Sequence, residues 1–187
     1  MLKEEKIGMP DSFNANIFFP LSVDGTHCTL FEPMHELYPM DRGYFSHKDH
    51  RAAYNYQIAL STTEQRIYAV HGPYPAGSNN DKIMFQKSGV QQILVAQNKR
   101  AIADGGYEGV DGVAIPNRRY HSKQTNLYMR RIRARHETVN GRIKNFSILS
   151  NTFRYKKERQ FKHKMVFEAV CVIVATQIAT KNPLFNA

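Results

Sequence analysis

Residues 133–144 have the sequence RARHETVNGRIK, which places one carboxylate, Glu137, inside a strongly basic segment. From Asn117 to Lys164 there are fifteen Lys or Arg residues against two acids, a net charge of +13 in a chain whose total is +10. The apolar residues of the region follow the 3, 4 and 7 spacing of one buried helical stripe, and they are Ile132, Val139, Ile143, Phe146 and Leu149. The spacing therefore predicts an amphipathic helix.

A second face of this predicted helix carries Arg133, Glu137, Gly141 and Lys144, at helical positions i−4, i, i+4 and i+7. Such a face offers an acid that can hold a divalent cation, bases that can hold phosphates, and a glycine that allows close approach. A solvated face with i,i+4 ion pairs explains the same pattern without any function. Other acids must join Glu137 before the functional interpretation is preferred.

The bulk composition indicates one globular domain, because 187 residues with 42% hydrophobic content can bury a core. Cys28 and Cys171 are too far apart in sequence to indicate a disulfide framework or a zinc site. A pI near 9.7 favours a polyanionic partner, with nucleic acid first and an acidic membrane surface second. The apolar run Met165–Thr180 contains Glu168 and is shorter than a membrane span, so we expect a buried C-terminal helix.

Three further acids have distinctive surroundings in the sequence. Asp24 lies in the apolar, β-rich run 17–31, where either a turn with Gly25 or a functional role explains it equally well. Asp81 begins a helix predicted to run to about Asn98, with an irregular apolar pattern at 88–89 that allows a break, and a helix N-terminal acid is its simpler explanation. Asp104 ends a short strand and precedes two glycines, a position where ligands are often bound.

The order of the predicted elements is that of the RNase H-like α/β fold. The runs 17–31, 53–60 and 66–71 predict an antiparallel meander, followed by the helix, a fourth strand beside the first, and C-terminal helices. In that order Asp24 and Asp104 lie on adjacent strands, and the late helix carries Glu137 towards them. Three carboxylates suit two Mg²⁺ or Mn²⁺ ions acting on a phosphodiester. His35, His47 and His50 are interpreted as surface or phosphate-contacting residues rather than metal ligands.

Four short blocks resemble the successive motifs of DDE-type transposases, in particular the Harbinger-like DDE superfamily endonucleases. The blocks are Val23-Asp-Gly-Thr-His27, Pro75-Ala-Gly-Ser-Asn-Asn-Asp81, Ala103-Asp-Gly-Gly-Tyr107 and Arg133-x3-Glu137-x3-Gly141-x2-Lys144. They stand in the family's order, with 32 residues between Asp104 and Glu137. The similarity covers the chain from about Phe18 to Phe185.

This resemblance implies a metal-dependent DNA endonuclease or strand transferase, a hydrolase of transposase origin. Asp24, Asp104 and Glu137 would be the catalytic, metal-binding triad, with Asp81 as a further candidate ligand. The expected cofactor is Mg²⁺ or Mn²⁺, as two ions. The residues expected to bind DNA are Arg130, Arg133, Arg142 and Lys144.

The expected organisation is a polar lead-in over residues 1–16 and an RNase H-like endonuclease domain over residues 17–187. Full-length relatives carry a helical DNA-binding region before the nuclease, whereas 23 residues precede Asp24, so we expect that region to be absent. The expected partners are DNA and a separate DNA-binding protein, with a homo-oligomer left open, no membrane, and a nuclear location. A domesticated or decayed module that binds DNA or a protein partner without catalysis is the alternative, and a general polyanion binder is the weaker third.

Overall fold

A computed structural model of the chain describes residues 18–31, 42–117, 119, 121–154, 159–181 and 183–184. The predicted lead-in, residues 1–16, and His35 lie outside these described residues. The strands are β1 (Leu21–Thr29), β2 (Phe45–Ser46), β3 (Arg51–Ser61), β4 (Ile67–Pro75), β5 (Ala101–Ile102) and β6 (Val113–Ala114). The helices are α1 (Asp81–Lys87), α2 (Val90–Ala96), α3 (Lys123–Lys144), α4 (Ser147–Ser150) and α5 (Arg159–Thr180).

The strands form one mixed sheet in the order β2-β3-β1-β5-β6, with β4 also paired to β3. β3 pairs antiparallel with β1 and β4, which confirms the predicted meander, and β5 and β6 continue the sheet in parallel from β1. This mixed sheet with helices between and after the strands is consistent with the RNase H-like fold. The two-residue strands β2 and β6 stand at the two ends of this strand order.

Helices cover both faces of the sheet. On one face Phe85 of α1 and Leu94 of α2 pack with Leu21 and Val23 of β1. On the other face the buried residues come from β3, α3 and α5, and they include Tyr56, Ile58, Val139, Ile143, Phe167 and Val174. The alternation of side chains along β1 therefore sends successive residues to opposite helical layers.

The helix boundaries follow local chemistry. Ser122 caps α3 by accepting a hydrogen bond from the Thr125 amide, and Asn80 caps α1 by accepting from the Ile83 amide. The predicted break between α1 and α2 is confirmed at Gly89, whose φ of 76° favours glycine. The predicted single stripe through Leu149 is wrong, because α3 ends at Lys144 and Leu149 belongs to α4.

The C-terminal helix α5 is buried on one face only. Its inner side chains Phe167 and Val174 are fully buried, whereas Phe161, Met165 and Val172 are more than half exposed. The segment Gln160–Thr180 is long and apolar enough to cross a membrane, but the core helices of soluble proteins can have the same length and composition. The predicted C-terminal helix is therefore present, and it is buried along one face.

Candidate active site

A cavity of about 430 Å³ opens where β1 continues past the end of β5. β5 pairs with β1 only at Leu21 and Ser22, so the edge of β1 from Asp24 onwards is not covered by that strand. The cavity is lined by residues of β1, the 47–50 turn, the end of β5 and α3, namely Asp24, Gly25, Thr26, His27, Lys48, Asp49, Asp104, Arg133, Glu137, Asn140, Gly141 and Lys144.

The register of the parallel pair brings Asp24 and Asp104 level with each other. The last paired residues are Ser22 on β1 and Ile102 on β5, and each acid lies two residues further along its chain. Residues two apart on a strand share a face, so both carboxylates are directed to the layer occupied by α3. The predicted adjacency of these two acids is therefore present in the fold.

Asp24 is held firmly and carries an unfavourable charge. Its Oδ1 accepts a hydrogen bond from the Gly25 amide at 2.9 Å, and its Oδ2 accepts one from Asn140 Nδ2 at 2.8 Å. Burial raises the pKa of Asp24 from 3.8 to about 6, and the negative charges of Asp104 and Asp81 add to this rise against the Gly25 hydrogen bond. A cation placed between these carboxylates would relieve both effects.

Asp104 follows β5 and caps a short 3-10 turn over Gly105–Tyr107. One of its oxygens, Oδ1, accepts a hydrogen bond from the Gly106 amide at 2.8 Å. A Cβ at Gly106 would lie 2.9 Å from that same oxygen, so a larger residue there would crowd the carboxylate. The absence of a side chain at Gly106 therefore leaves room for this carboxylate, whereas a Cβ at Gly105 would meet no atom within 4 Å.

Glu137 enters the cavity from α3. Its Oε1 lies 4.0 Å from Arg133 Nη2, and the Glu137 side chain is 69% exposed. Arg133, Glu137, Gly141 and Lys144 all line the cavity, so the α3 face that they were predicted to share is directed to it. Glu137 therefore lies at the exposed mouth of the site, whereas Asp24 lies deeper, in its partly buried floor.

Asp81 approaches the same region from the opposite layer. Its Oδ1 accepts a hydrogen bond from Asn55 Nδ2 at 3.1 Å, and a Cβ added at Gly25 would collide with its carboxylate. Asp81 thus packs against β1 beside Asp24, where its charge contributes to the raised Asp24 pKa. Asp81 also lies in the first turn of α1, where an acid stabilises the helix N-terminus. This position explains Asp81 without a role as a metal ligand, which stays a prediction.

The basic residues predicted to bind DNA divide into two groups. Arg133 and Lys144 line the cavity, whereas Arg130 and Arg142 lie elsewhere on α3. The Lys144 ammonium donates to the backbone oxygen of His27 and lies 3.5 Å from Cys28 Sγ, so it also ties α3 to β1. DNA contact by all four residues stays a prediction.

His136 anchors α3 directly beneath Glu137. Its buried imidazole lies 2.9 Å from Ser22 Oγ through Nδ1, and burial followed by the charge of Arg133 lowers its pKa to about 3. A neutral buried imidazole bonded to β1 fixes the rotation of α3. Glu137 consequently faces the cavity.

Six cavity residues were not among the sequence candidates, and they are Gly25, Thr26, His27, Lys48, Asp49 and Asn140. His27 stands in the same block as Asp24, and Asn140 lies one residue before Gly141 in the block that contains Glu137, so both carried a weak signal. Lys48 and Asp49 carried no such signal in the sequence, because only the tight turn between β2 and β3 brings them to the cavity.

The donor chemistry of the cavity fits a hard divalent cation. Carboxylate oxygens from Asp24, Asp104 and Glu137 surround it, and oxygen ligands are those that Mg²⁺ and Mn²⁺ prefer. Over the described part of the chain, no three His, Cys, Asp or Glu side chains already stand in a chelating group. An ion held by all three acids would therefore require their carboxylates to move closer together.

A family model described as DDE superfamily endonuclease matches residues 23–175 of the chain. This range contains Asp24, Asp81, Asp104 and Glu137, together with all six strands except the first two residues of β1. No curated protein and no solved structure matches the chain significantly.

Proposed function

Because the chain belongs to the DDE superfamily endonucleases, we propose that it is a metal-dependent DNA endonuclease and strand transferase of transposase origin. Asp24, Asp104 and Glu137 are the proposed catalytic, metal-binding triad, and Asp81 is a proposed additional ligand. When bound, two Mg²⁺ or Mn²⁺ ions supply the Lewis-acid chemistry of phosphodiester cleavage. The observation that carries this proposal is the convergence of the three triad acids on one cavity from β1, the end of β5 and α3.

The protein itself contributes orientation and charge. Asn140 and the Gly25 amide fix the Asp24 carboxylate, and the Gly106 amide fixes that of Asp104. Both acids are therefore preorganised, which lowers the cost of binding a cation between them. Glu137 is the mobile member of the triad, since its carboxylate is largely exposed and contacts Arg133, itself a partly exposed side chain.

Arg133 and Lys48 supply positive charge at the same cavity, next to the acids. A phosphodiester entering the site would meet these cations on its non-bridging oxygens, with Arg130, Arg142 and Lys144 as further proposed DNA contacts. DNA is accordingly the proposed partner, and a nuclear location follows from it as part of the same proposal. A separate DNA-binding protein would supply target recognition, and a homo-oligomer is compatible with this scheme.

The test is nicking of supercoiled plasmid DNA in Mg²⁺ and in Mn²⁺. We expect the wild-type protein to nick DNA and Asp24→Asn, Asp104→Asn and Glu137→Gln to lose activity by at least about 10²-fold, as expected when a transition-state charge contact is removed. Glu108→Gln is the matched control, because Glu108 is an exposed acid that does not line the cavity. Undiminished nicking by Glu137→Gln would remove it from the triad.

A DNA-binding module without catalysis is the second candidate. It is favoured by the arrangement of the described residues, in which no three His, Cys, Asp or Glu side chains are already placed to chelate a metal ion. For such a module we expect binding that falls steeply with salt and no cleavage in any divalent metal. Metal-dependent cleavage that Asp24→Asn abolishes would exclude it.

A further inference from the structure

The outer face of the C-terminal helix α5 carries a row of large apolar side chains. Phe161, Met165 and Val172 are 63%, 55% and 66% exposed, and at 3.6 residues per turn they project within about 40° of one another. Ile173 lies beside them and is 45% exposed. These four residues form the α5 stripe, whereas the opposite face of α5 packs on β3 in the core.

The area of the α5 stripe fits a small interface between two proteins. The exposed fractions leave about 400 Å² of apolar surface in water, a size at which surface patches are often functional. Pairing two such stripes covers about 800 Å², and since homodimer interfaces are about 65% apolar, the whole interface buries about 1,200 Å². This area is at the lower limit for a specific interface, so we expect a dissociation constant in the micromolar range.

The charges beside the α5 stripe favour pairing with an identical helix in the antiparallel direction. Lys164 and Glu168 lie along one side of the stripe, each about half exposed, with Lys164 Nζ 3.7 Å from Glu168 Oε1. A two-fold axis brings this side of one helix against the same side of the other, in reverse order along the chain. Lys164 then faces Glu168 of the second copy on both sides of the axis, whereas a parallel pair would place like charges together.

The apolar residues agree with the register that these charges set. When Lys164 is level with Glu168 of the second copy, Phe161 is within about one residue of the level of Val172 of the second copy. Met165 then lies close to the two-fold axis. Large apolar side chains therefore meet at the centre and at both ends of the paired helices, with the ion pairs along one side.

We propose that the α5 stripe is a homodimer interface, in which it packs antiparallel against the α5 stripe of a second copy of this chain. A two-fold interface requires a surface that is complementary to itself, and the α5 stripe meets this requirement in its charge order and in its apolar register. The interface uses no residue of the cavity lining and needs neither metal nor DNA. The inference therefore does not rest on the proposed function.

The first measurement is sedimentation equilibrium of the 187-residue chain in EDTA, after removal of nucleic acid, at about 1–100 μM protein. We expect a monomer–dimer equilibrium in the wild-type protein. Val172→Glu should raise the dissociation constant at least about 10²-fold, because each dimer would bury two unpaired carboxylates. Ile93→Glu is the matched control, since Ile93 is 59% exposed but lies on α2, and it should leave the dissociation constant unchanged.

A wild-type protein that stays monomeric throughout this range, or equal dissociation constants for wild type and Val172→Glu, would overturn the proposal. Circular dichroism checks that each variant is folded. Should Val172→Glu fail to fold, Phe161→Ala carries the same test, with an expected rise of at least about 10-fold in the dissociation constant.

The second measurement tests the antiparallel direction by disulfide formation between introduced cysteines. A mixture of Phe161→Cys and Val172→Cys should form a cross-linked dimer, because these positions face each other. Val172→Cys alone should not, since its two copies would lie about 16 Å apart along the helices, too far for a disulfide. Equal cross-linking of Val172→Cys alone would overturn the antiparallel arrangement. The wild-type protein is the control, because its own Cys28 and Cys171 are buried.

A membrane surface is the other occupant that the experiment distinguishes. Gln160–Thr180 is long and apolar enough to enter a bilayer, so the wild-type protein is also sedimented with phosphatidylcholine vesicles. We expect no association with the vesicles. A monomeric protein that binds them, with binding lost in Val172→Glu, would overturn the dimer. None of these measurements uses nicking activity, so failure of the nuclease proposal leaves this inference standing, and the reverse also holds.

Discussion

Replacing Asp24 with asparagine is expected to stabilise the metal-free protein while abolishing DNA cleavage. Burial and the charges of Asp104 and Asp81 raise the Asp24 pKa from 3.8 to about 6, so its ionised form is disfavoured in the fold. One pKa unit corresponds to about 1.4 kcal/mol, so ionised Asp24 costs the fold on the order of 3 kcal/mol. The asparagine side chain has no charge and avoids this penalty.

Asparagine also loses part of the hydrogen bonding of the carboxylate. Asp24 accepts hydrogen bonds from the Gly25 amide and from Asn140 Nδ2, one on each carboxylate oxygen. Asparagine has only one such oxygen, so its NH₂ group meets one of these two donors and that hydrogen bond is lost. That loss costs about 1 kcal/mol, which leaves a net gain of about 2 kcal/mol. For a chain of this size the gain corresponds to a rise of about 4–8 °C in Tm.

The pH dependence of the stability difference between the two proteins shows whether the Asp24 charge causes it. A carboxyl whose pKa is raised by folding destabilises the fold where it is ionised, so the penalty is absent below pH 3.8 and complete above about pH 6. The penalty is about 3 kcal/mol at pH 8 and about 0.5 kcal/mol at pH 4. The advantage of Asp24→Asn should therefore vanish or reverse at pH 4.

Thermal unfolding of both proteins in EDTA at pH 8 and at pH 4 measures this difference. The comparison between variants is decisive, because buried histidines such as His163 alter the stability of both proteins equally. A Tm for Asp24→Asn that is lower than wild type at pH 8, or an identical difference at both pH values, would refute the electrostatic reasoning.

Three further perturbations test other contacts of the fold. Lys144→Met removes the ammonium that joins α3 to the His27 carbonyl, and urea unfolding should show a loss of about 1–2 kcal/mol. Gly25→Ala introduces a Cβ that collides with the Asp81 carboxylate, and the same assay should show a loss of about 1–3 kcal/mol, with wild-type stability contradicting the packing. Burial lowers the pKa of His163 from 6.5 to about 4, so stability should fall as pH decreases between these values, and His163→Gln should flatten that part of the Tm profile.

Periodicity predicted the parts of the fold that depend on local sequence. The long runs of β-forming residues in β1, β3 and β4 predicted the meander. The irregular pattern at Ser88–Gly89 indicated where α1 and α2 separate. The sequence predicted that Asp104 follows a strand and that Glu137 lies on a basic amphipathic helix. Both acids line the same cavity in the structure. These signals are local in sequence, so they can be recognised before any tertiary contact is known.

Other features depend on contacts that no local pattern records. α3 stops at Lys144 although its apolar spacing continues, because the chain turns at Asn145 and restarts as α4. Asp49 reaches His27 through a two-residue strand and a tight turn, a geometry set by the pairing of β2 with β3. The raised pKa of Asp24 likewise depends on its burial and on the charges of Asp104 and Asp81, which are distant in sequence.

The most direct test of the central claim is anomalous X-ray scattering from crystals of the protein soaked in Mn²⁺ with a short DNA duplex. The account predicts manganese peaks between the carboxylates of Asp24 and Asp104, with Glu137 turned from Arg133 to join them. Manganese bound only elsewhere, or a fully soaked crystal in which Glu137 still faces Arg133 and no peak lies beside Asp24, would contradict it.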